Sequence, residues 1–273
     1  MKGKTNNYPD YEPLEPGNYP ARCFRIIDLG TQEENSPKFG KKEVRKIRID
    51  FEIESVPIEI NGEEKPSYAS LRVTLSMSEK ATLRKIMNSW HGKTLTDKEA
   101  EDFDVFSVLG KAGYLSITHN QSGDKVFVNI DSIKPIPKER KNAKGKIIEQ
   151  AVEPPPPCIN PIVGFSMDPD DHCYKGPINK PELKRKNEID MVTAFEMLPE
   201  GTKNIIRKSP EFAEVFGTDY KSPDNEKSSK KNSNSGKQGT KITSKAQPPK
   251  NDDVDDDDDD SDFQEGLDDE PPF

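Results

Sequence analysis

Residues 44–54 alternate between apolar and charged side chains, and this pattern limits the segment to an extended strand with one buried face. The apolar members, which share that face, are Ile47, Ile49, Phe51 and Ile53. The alternation returns in residues 68–77, where the apolar members are Leu71, Val73, Leu75 and Met77. Because a period of two belongs to strands and not to helices, both segments predict a mainly β protein.

The order of the predicted elements narrows the fold further. In chain order they are a strand at 19–29, strands at 44–54 and 68–77 joined by a turn at Asn61 and Gly62, a helix at 78–90, a short helix at 98–109, and strands at 113–118 and 125–133. Ser78 is the expected N-cap of the first helix, and Trp90 belongs to its buried face. This order predicts a five-stranded OB-type barrel with the helix inserted between strands 3 and 4. Small barrels of the SH3 kind share the strand count but lack that helix.

Five regions separate along the chain by composition and charge. They are an extended leader (1–18), the OB-fold domain (19–137), a basic loop with a Pro-rich strap and a short helical extension (138–220), a basic low-complexity linker (221–251) and an acidic tail (252–273). Only 30% of the chain is hydrophobic and 33% is charged, which is too polar for a chain packed from end to end. We therefore expect the tail to be disordered.

The residues do not assemble a recognisable catalytic or metal-binding motif. GxxxxGK[ST], GxSxG, HExxH and GxGxxG are all missing, and the three histidines are scattered. The cysteines (Cys23, Cys158 and Cys173) are odd in number and widely spaced, which argues against a disulfide framework. Cys158, His172 and Cys173 are a poor zinc set, because two are adjacent and a fourth ligand is not evident. We expect a cytoplasmic binding protein with no catalysis, metal, cofactor or membrane span.

Cations and aromatic rings gather on the outward side of the predicted barrel. They are Lys38, Phe39, Lys41, Lys42, Arg45, Lys46 and Arg48 around the second strand, Tyr68 and Arg72 on the third, and Tyr114 and Phe127 on the last two. Cations follow phosphates while flat rings stack on unpaired bases, so this combination predicts sequence-independent binding of single-stranded DNA. Two alternatives stay open. In the first alternative, the charged positions form an ordinary solvated face. In the second, the Pro-rich segment, and not DNA, covers Tyr114 and Phe127.

The last 23 residues carry 13 acidic side chains and no Lys or Arg, and the chain ends on a phenylalanine. A terminal ring and carboxylate, stiffened by prolines, can anchor in a basic pocket with an apolar floor. The tail therefore predicts a partner-binding segment. Its contact residues are Asp268, Asp269, Glu270, Pro271, Pro272 and Phe273. A solubilising polyanion does not require an aromatic residue at the last position.

Several short motifs carry a resemblance to known proteins. The terminus DDEPPF is similar to the acidic tip of bacterial single-stranded DNA-binding proteins. The others, in order, are GNYPARC at 17–23, DLGTQ at 28–32, FG at 39–40, IDFEI at 49–53, VLGK at 108–111, FEMLPEG at 195–201 and SPEF at 209–212. Their order over roughly residues 15–217 resembles the OB-fold single-stranded DNA-binding proteins of tailed bacteriophages. The resemblance implies a role in phage DNA replication, recombination or repair in the cytoplasm of an infected bacterium.

The expected function is to coat and protect transient single strands, with the tail recruiting replication or recombination proteins. A protein–protein adaptor that binds no nucleic acid is the alternative, since residues 1–220 carry 33 basic and 35 acidic side chains, a net charge of −2. An accessory subunit of a nuclease is a third reading. Self-association also stays open.

Overall fold

The computed structural model describes residues 13–36, 40–60, 62–122, 125–178, 180–218 and 220. The protein is mainly β, with 43% strand and 23% helix. Its strands are β1 (Gly17–Ser36), β2 (Gly40–Ile60), β3 (Glu63–Thr74), β4 (Ala112–Ser122), β5 (Lys125–Lys134), β6 (Arg140–Lys141), β7 (Ile147–Glu149), β8 (Val163–Phe165), β9 (Cys173–Lys175) and β10 (Glu188–Ile189). Its helices are α1 (Thr82–His91), α2 (Asp97–Glu101), α3 (Pro181–Lys186), α4 (Met191–Glu196), α5 (Glu200–Ile206) and α6 (Pro210–Phe216), with a 3-10 helix at Val105–Val108.

The first strand organises the sheet because it pairs with three others. β1 runs antiparallel to β2 from residue 22 to 36, antiparallel to β4 from 17 to 22, and parallel to β8 from 25 to 27. β2 continues to β3, and β4 continues to β5. β3 and β5 lie close together, but no backbone ladder joins them in the described part of the chain. The sheet is therefore open at this point.

The inner face of these strands forms the main core, largely as the alternation predicts. The predicted inward residues of β2 and four of the helix are at most 7% exposed, namely Ile47, Ile49, Phe51, Ile53, Leu83, Ile86, Met87 and Trp90. Leu71 and Val73 of β3 are also buried, whereas Leu75 is 37% exposed. The difference arises because β3 ends at Thr74, so Leu75 lies beyond the last paired residue.

Two helix predictions need correction. The residue that precedes α1 is Ala81, and Ser78 is not its N-cap, because the Ser78 hydroxyl lies 3.2 Å from that of Ser76 instead. The helix predicted at 98–109 is divided. α2 begins one residue earlier, with Thr96 and Glu99 forming a capping box, and it ends at Glu101. A separate 3-10 turn follows.

A second apolar layer lies on the outer face of β1. Phe24, Ile27 and Leu29 of β1 are at most 2% exposed and lie outside the main core cluster. α5 and α6 contact β1, β8 pairs with its edge, and Phe165 of β8 packs against Phe195 of α4 with ring centroids 5.8 Å apart. The segment predicted to hold one short helical pattern therefore contains four short helices, α3–α6, and three strands, β8–β10, that extend the main sheet beyond β1.

Gly30 marks the closest approach between the two layers. Its backbone is left-handed, with φ at 68°, and a Cβ atom there would lie 2.4 Å from the Ser209 hydroxyl at the start of α6. Only glycine meets both conditions without strain. The remaining pair, β6 and β7, forms a separate two-stranded sheet. Among the residues described, none of the helices has the length and apolar character needed to cross a membrane.

Candidate nucleic-acid interface

The register of β1, β2 and β3 arranges the polar residues of the outer face in rows across the strands. One row is Arg22, Glu52 and Tyr68, the next is Arg25, Asp50 and Ser70, and the third is Ile27, Arg48 and Arg72. Side chains directly opposite each other on one face lie about 5 Å apart and interact. Each row therefore behaves as one group of contacts.

Asp50 lies at the centre of the second row and is completely buried. The Arg48 Nε and the Ser70 hydroxyl each donate a hydrogen bond of 2.7 Å to Asp50 Oδ1. The Nε of Arg25 lies 2.8 Å from Asp50 Oδ2, a close ion pair whose angle does not make a hydrogen bond. Burial raises the pKa of Asp50, but Arg48 and Arg25 more than offset that effect, so the pKa lies below its ordinary value. The carboxylate is charged at neutral pH.

Arg48 connects the sheet to the layer that covers it. Its Nη2 donates to the Ser70 hydroxyl at 2.9 Å, and its Nη1 donates to the Thr202 hydroxyl of α5 at 3.3 Å. Burial lowers the pKa of Arg48, but Asp50 and Tyr68 more than compensate. Only 16% of the Arg48 side chain is exposed, so it is part of the architecture as well as part of the charge of this face.

Arg72 lies directly opposite Arg48 on the neighbouring strand. Like charges in this position repel each other. Burial and the charge of Arg48 together lower the pKa of Arg72, and Glu34 partly offsets them. The Arg72 Nε is buried and has no hydrogen-bond partner among the described residues. Glu34 is itself in contact with Lys46.

These contacts leave the face with more positive than negative charge. We call Arg25, Arg48 and Arg72, together with Asp50, the arginine cluster. The guanidinium groups of Arg25 and Arg48 contact the carboxylate, Arg72 lies opposite Arg48, and one buried N–H of Arg72 is unused. Arginine guanidinium groups bind phosphate oxygens through charge-assisted hydrogen bonds. The cluster therefore has the chemistry of an anion-binding site.

An aromatic surface adjoins the arginine cluster. Tyr68 is half-buried on β3, and its ring meets that of Phe24 edge to face with centroids 6.1 Å apart. The Arg25 guanidinium lies 4.6 Å from the centroid of Phe24 and 5.8 Å from that of Tyr68. Burial raises the pKa of Tyr68, with Arg48 acting in the opposite direction. The phenol is neutral near pH 7, as a stacking surface for bases would require.

The chain's own C-terminal segments cover one side of this face. The Arg22 Nε donates to the carbonyl of Pro156 at 2.8 Å, and Glu52 accepts the amide hydrogens of Ile159 and Asn160 at 2.7 and 2.8 Å. We call residues 154–160 the strap. Exposure increases from β1 to β3, and the half-buried outward residues of β3 are Tyr68, Ser70, Arg72 and Thr74. The accessible part of the face is therefore its β3 side.

The predicted cations near the β1–β2 turn lie on a two-stranded ribbon and are matched by carboxylates. Lys41 Nζ is 2.6 Å from Glu33, and Lys42 Nζ is 3.9 Å from Glu34. Such exposed ion pairs contribute only about 0–1 kcal/mol, so a phosphate can replace the carboxylate at little cost. Lys38 and Phe39 lie outside the described residues, as do residues 268–273, which the sequence predicts to bind partners.

Arg45, on the same ribbon, is held more firmly. Its Nη2 is 2.6 Å from Asp28 Oδ2, and Nη1 is 3.5 Å from Asp168. The hydrogen bond to Asp28 raises the pKa of Arg45, although burial acts against it. Since the Asp28 side chain is only 5% exposed, Arg45 neutralises a buried charge and is less available to a ligand than Lys41.

The structure does not bring Tyr114 and Phe127 into the arginine cluster. Both are half-buried, on β4 and β5, which join β1 at its other edge. Tyr114 is opposite Pro20 and Lys134, and Phe127 is opposite Asn120. The predicted aromatic residues therefore divide into Tyr68, beside the arginines, and two rings on a separate part of the sheet.

The sequence pattern does not indicate one residue of the cluster, Arg25, or one of its contacts, Thr202. Arg25 was not assigned to the outer face because a bulge between Cys23 and Arg25 shifts the alternation of β1. Thr202 belongs to a helix 154 residues away from Arg48 in sequence, and no local pattern indicates that contact. Within the described ranges no three His, Cys, Asp or Glu side chains are grouped closely enough to hold a metal ion.

Neither of two comparisons identifies a relative: no protein-family model matches the chain, and no curated protein matches it.

Proposed function

We propose that the protein binds single-stranded DNA without sequence preference, through the β3 side of the outer face. One observation carries the proposal. Two arginines contact a single carboxylate, and a third, Arg72, lies opposite one of them with an unused buried N–H, on the same face as the ring of Tyr68. Guanidinium groups bind phosphate oxygens, and a tyrosine ring can stack on any base. Recognition by these two groups favours single strands, whose bases are free, and does not distinguish sequences.

We also propose that β1–β5 form an OB-type barrel. The pairing order, β3–β2–β1–β4–β5 with α1 between β3 and β4, supports this assignment, as does the closeness of β3 to β5. In OB folds the face of strands 2 and 3 is where oligonucleotides lie. The arginine cluster is on that face. The strand order and the position of the arginines therefore support both proposals, the OB-type barrel and the binding of DNA.

The biological role that fits is protection of single strands during phage DNA replication, recombination or repair. A protein that binds only the unpaired form of DNA removes hairpins by mass action. The acidic tail would then recruit replication or recombination proteins to the coated strand. No catalytic step is part of this proposal.

The first experiment is a fluorescence titration of dT oligomers at several salt concentrations. The logarithm of the association constant should fall linearly with that of the salt concentration, with a slope of about −0.7 for each contacted phosphate. Arg72→Ala should weaken binding and make the slope shallower. The free energy of unfolding should not fall, because the substitution removes a repulsive pair and an unpaired buried donor.

Arg185→Ala is the matched control, since it removes an exposed arginine of α3, more than 100 residues in sequence from β1, β2 and β3. It should leave both affinity and slope unchanged. Equal affinity of the parent and Arg72→Ala proteins for dT would remove the arginine cluster from the binding site. Preference for one duplex sequence would contradict the sequence-independent reading.

A protein–protein adaptor that binds no DNA is the second candidate. The observation that favours it is the cover over the outer face, since β8, the strap and α5 bury Arg25, Asp50 and Glu52. Carboxylates also neutralise the positive charges of Lys41 and Arg45, which again favours an adaptor that binds no DNA. A complete lack of dT binding by the parent protein at low salt, together with capture of partners by the tail, would support this function instead.

A further inference from the structure

The hairpin of β6 and β7 stands apart from the main sheet. β6 pairs only with β7 among the described strands, and residues 138–148 are all exposed. The amide of Val152 donates to the carbonyl of Pro137 at 3.0 Å, which closes the segment at its base. The hairpin is therefore an arm with a defined attachment point, and neither the main core nor the outer layer includes it.

The charge of this arm is strongly positive. Residues 138–149 contain five cationic and two acidic side chains, a net charge of +3. Arg140 is 3.5 Å from Glu149, and Lys141 is 3.0 Å from Glu139, so the two carboxylates are already engaged. Lys138, Lys144 and Lys146 make no ion pair with any described residue. Three exposed ammonium groups are free for an anionic partner.

The tip of the arm is ordered by its own hydrogen bonds. The Asn142 side-chain oxygen accepts the amide hydrogens of Lys144 and Lys146, each at 3.0 Å. The backbone amide of Gly145 donates to the carbonyl of Asn142, and Gly145 has a left-handed φ of 77°. This turn fixes the backbone from which Lys144 and Lys146 project. A fixed cationic tip loses less conformational entropy on binding than a flexible loop.

The arm begins near the proposed DNA-binding face. The first strap residue held by Arg22, Pro155, follows Val152 at the base of the arm by three positions, which is at most about 10 Å of chain. Arg22 shares a row with Glu52 and Tyr68, and two strand spacings amount to roughly 10 Å. A strand that leaves Tyr68 in the direction of this row therefore passes over the strap, which covers Arg22 and Glu52, and reaches the base of the arm.

We propose that the β6–β7 hairpin is a second contact for single-stranded DNA, binding the sugar–phosphate backbone beyond the arginine cluster. The inference rests on the proposed function and extends it, because it assigns a longer binding site than the sheet face alone. Ile147 and Ile148, 44% and 59% exposed beside the lysines, supply apolar surface for the bases. The charge favours nucleic acid over a protein partner, since protein interfaces are depleted in lysine at their centres.

The test compares oligomers of two lengths on the full chain. Lys138, Lys144 and Lys146 are changed together to Gln, and affinity is measured for dT of about 6 and about 30 nucleotides, chosen to bracket the sizes typical of one OB fold. Binding of the long oligomer should weaken by about tenfold or more, and its salt slope should become shallower by up to about 2, because three phosphate contacts are lost. Binding of the short oligomer should hardly change.

A triple variant with Lys85, Lys98 and Lys186 changed to Gln is the matched control. These lysines are also exposed and lie on α1, α2 and α3. Equal loss in both triple variants would mean that only net charge matters and would overturn the inference. Unchanged binding of long dT by the hairpin variant would also overturn the inference. A hairpin variant that differs from the parent only in its sedimentation mass would show that the arm is a protein contact instead. If the parent protein binds no dT of either length, the proposed function itself fails.

Discussion

Asp50 determines both the stability and the charge of the outer face, because one buried carboxylate contacts two guanidinium groups. Removing a carboxylate from water costs several kcal/mol, and attraction to nearby opposite charges must offset that cost. Here it does, since the pKa of Asp50 is lowered in spite of burial. Without this carboxylate, Arg25 and Arg48 would face each other and Arg72 with no counter-charge between them.

Asp50→Asn should therefore lower the free energy of unfolding by about 3–5 kcal/mol at neutral pH, as expected when one member of a buried ion pair is lost. The pH dependence should also change. A depressed folded-state pKa gives stability that is present above the unfolded pKa, near 3.9 for aspartate, and is lost as the pH falls through the folded value. The parent protein should lose this contribution below about pH 4, whereas the variant has none to lose. Urea unfolding between pH 7 and pH 2 measures both effects.

Asp131→Asn, at an exposed position of β5, is the control for a change of one charge and should follow the parent profile. Parallel pH profiles for the parent and Asp50→Asn proteins would contradict the role assigned to this carboxylate.

The residues of the cluster show what alternation can and cannot predict. Arg48 and Arg72 could be assigned to one face from period two alone, because β2 and β3 keep their register from residue 67 to 74 of β3. Burial of that face could not be predicted, since it depends on where residues 154–216 dock. Arg25 was missed because one bulge reverses the phase of β1.

At the scale of elements, the five long strands and α1 could be predicted, and their ends could not. The sequence pattern ends the first strand near residue 29, but β1 continues to Ser36 because β2 begins at Gly40 and pairs with it as a ribbon. Residues 30–36 of β1 have no apolar alternation, and only their backbone pairing with β2 keeps them extended. The short strands β8–β10 have too few residues to show a period, and long-range docking creates them.

The strap supplies a prediction at this scale. Glu52→Ala should leave the amides of Ile159 and Asn160 without an acceptor, which costs about 1–3 kcal/mol for each group that remains buried. We expect a lower melting temperature and faster proteolytic cleavage within residues 154–160. Differential scanning fluorimetry and timed proteolysis with mass spectrometry measure the two effects.

Glu54→Ala removes an exposed carboxylate two residues along the same strand, so it should change neither property. A strap that resists proteolysis equally in the parent and Glu52→Ala proteins would show that other contacts hold it.

For the whole molecule, the distribution of charge along the chain matters more than its net value of −9. The last 23 residues hold 13 of the 50 acidic groups, and residues 221–250 carry eight lysines. If the protein binds DNA as proposed, this polyanion, attached to the same chain, would compete with DNA for the cationic face at high effective concentration. Deleting residues 252–273 should therefore leave binding of dT intact or tighten it, and more so at low salt, where screening is weakest.

Deletion of Phe273 alone tests the proposed anchor separately from the charge of the tail. It keeps all 13 acidic groups, so affinity for DNA should hardly change, whereas pull-down of partner proteins should fail. Retention of every partner by this variant would leave the tail as a solubilising polyanion. Loss of DNA binding on removal of residues 252–273 would contradict the proposal that the sheet binds DNA and the tail binds partner proteins.

β1 pairs with β2 on one edge, and β4 and β8 share the other. During synthesis β8 leaves the ribosome more than 40 residues after β4. Until then, residues 25–27 present an unpaired edge, and Phe24, Ile27 and Leu29 present an apolar surface without its cover. Open edges next to apolar surface promote aggregation. Truncations that end before residue 163 should therefore accumulate in inclusion bodies, and chaperones that bind nascent chains would be needed most in the interval before β8 docks.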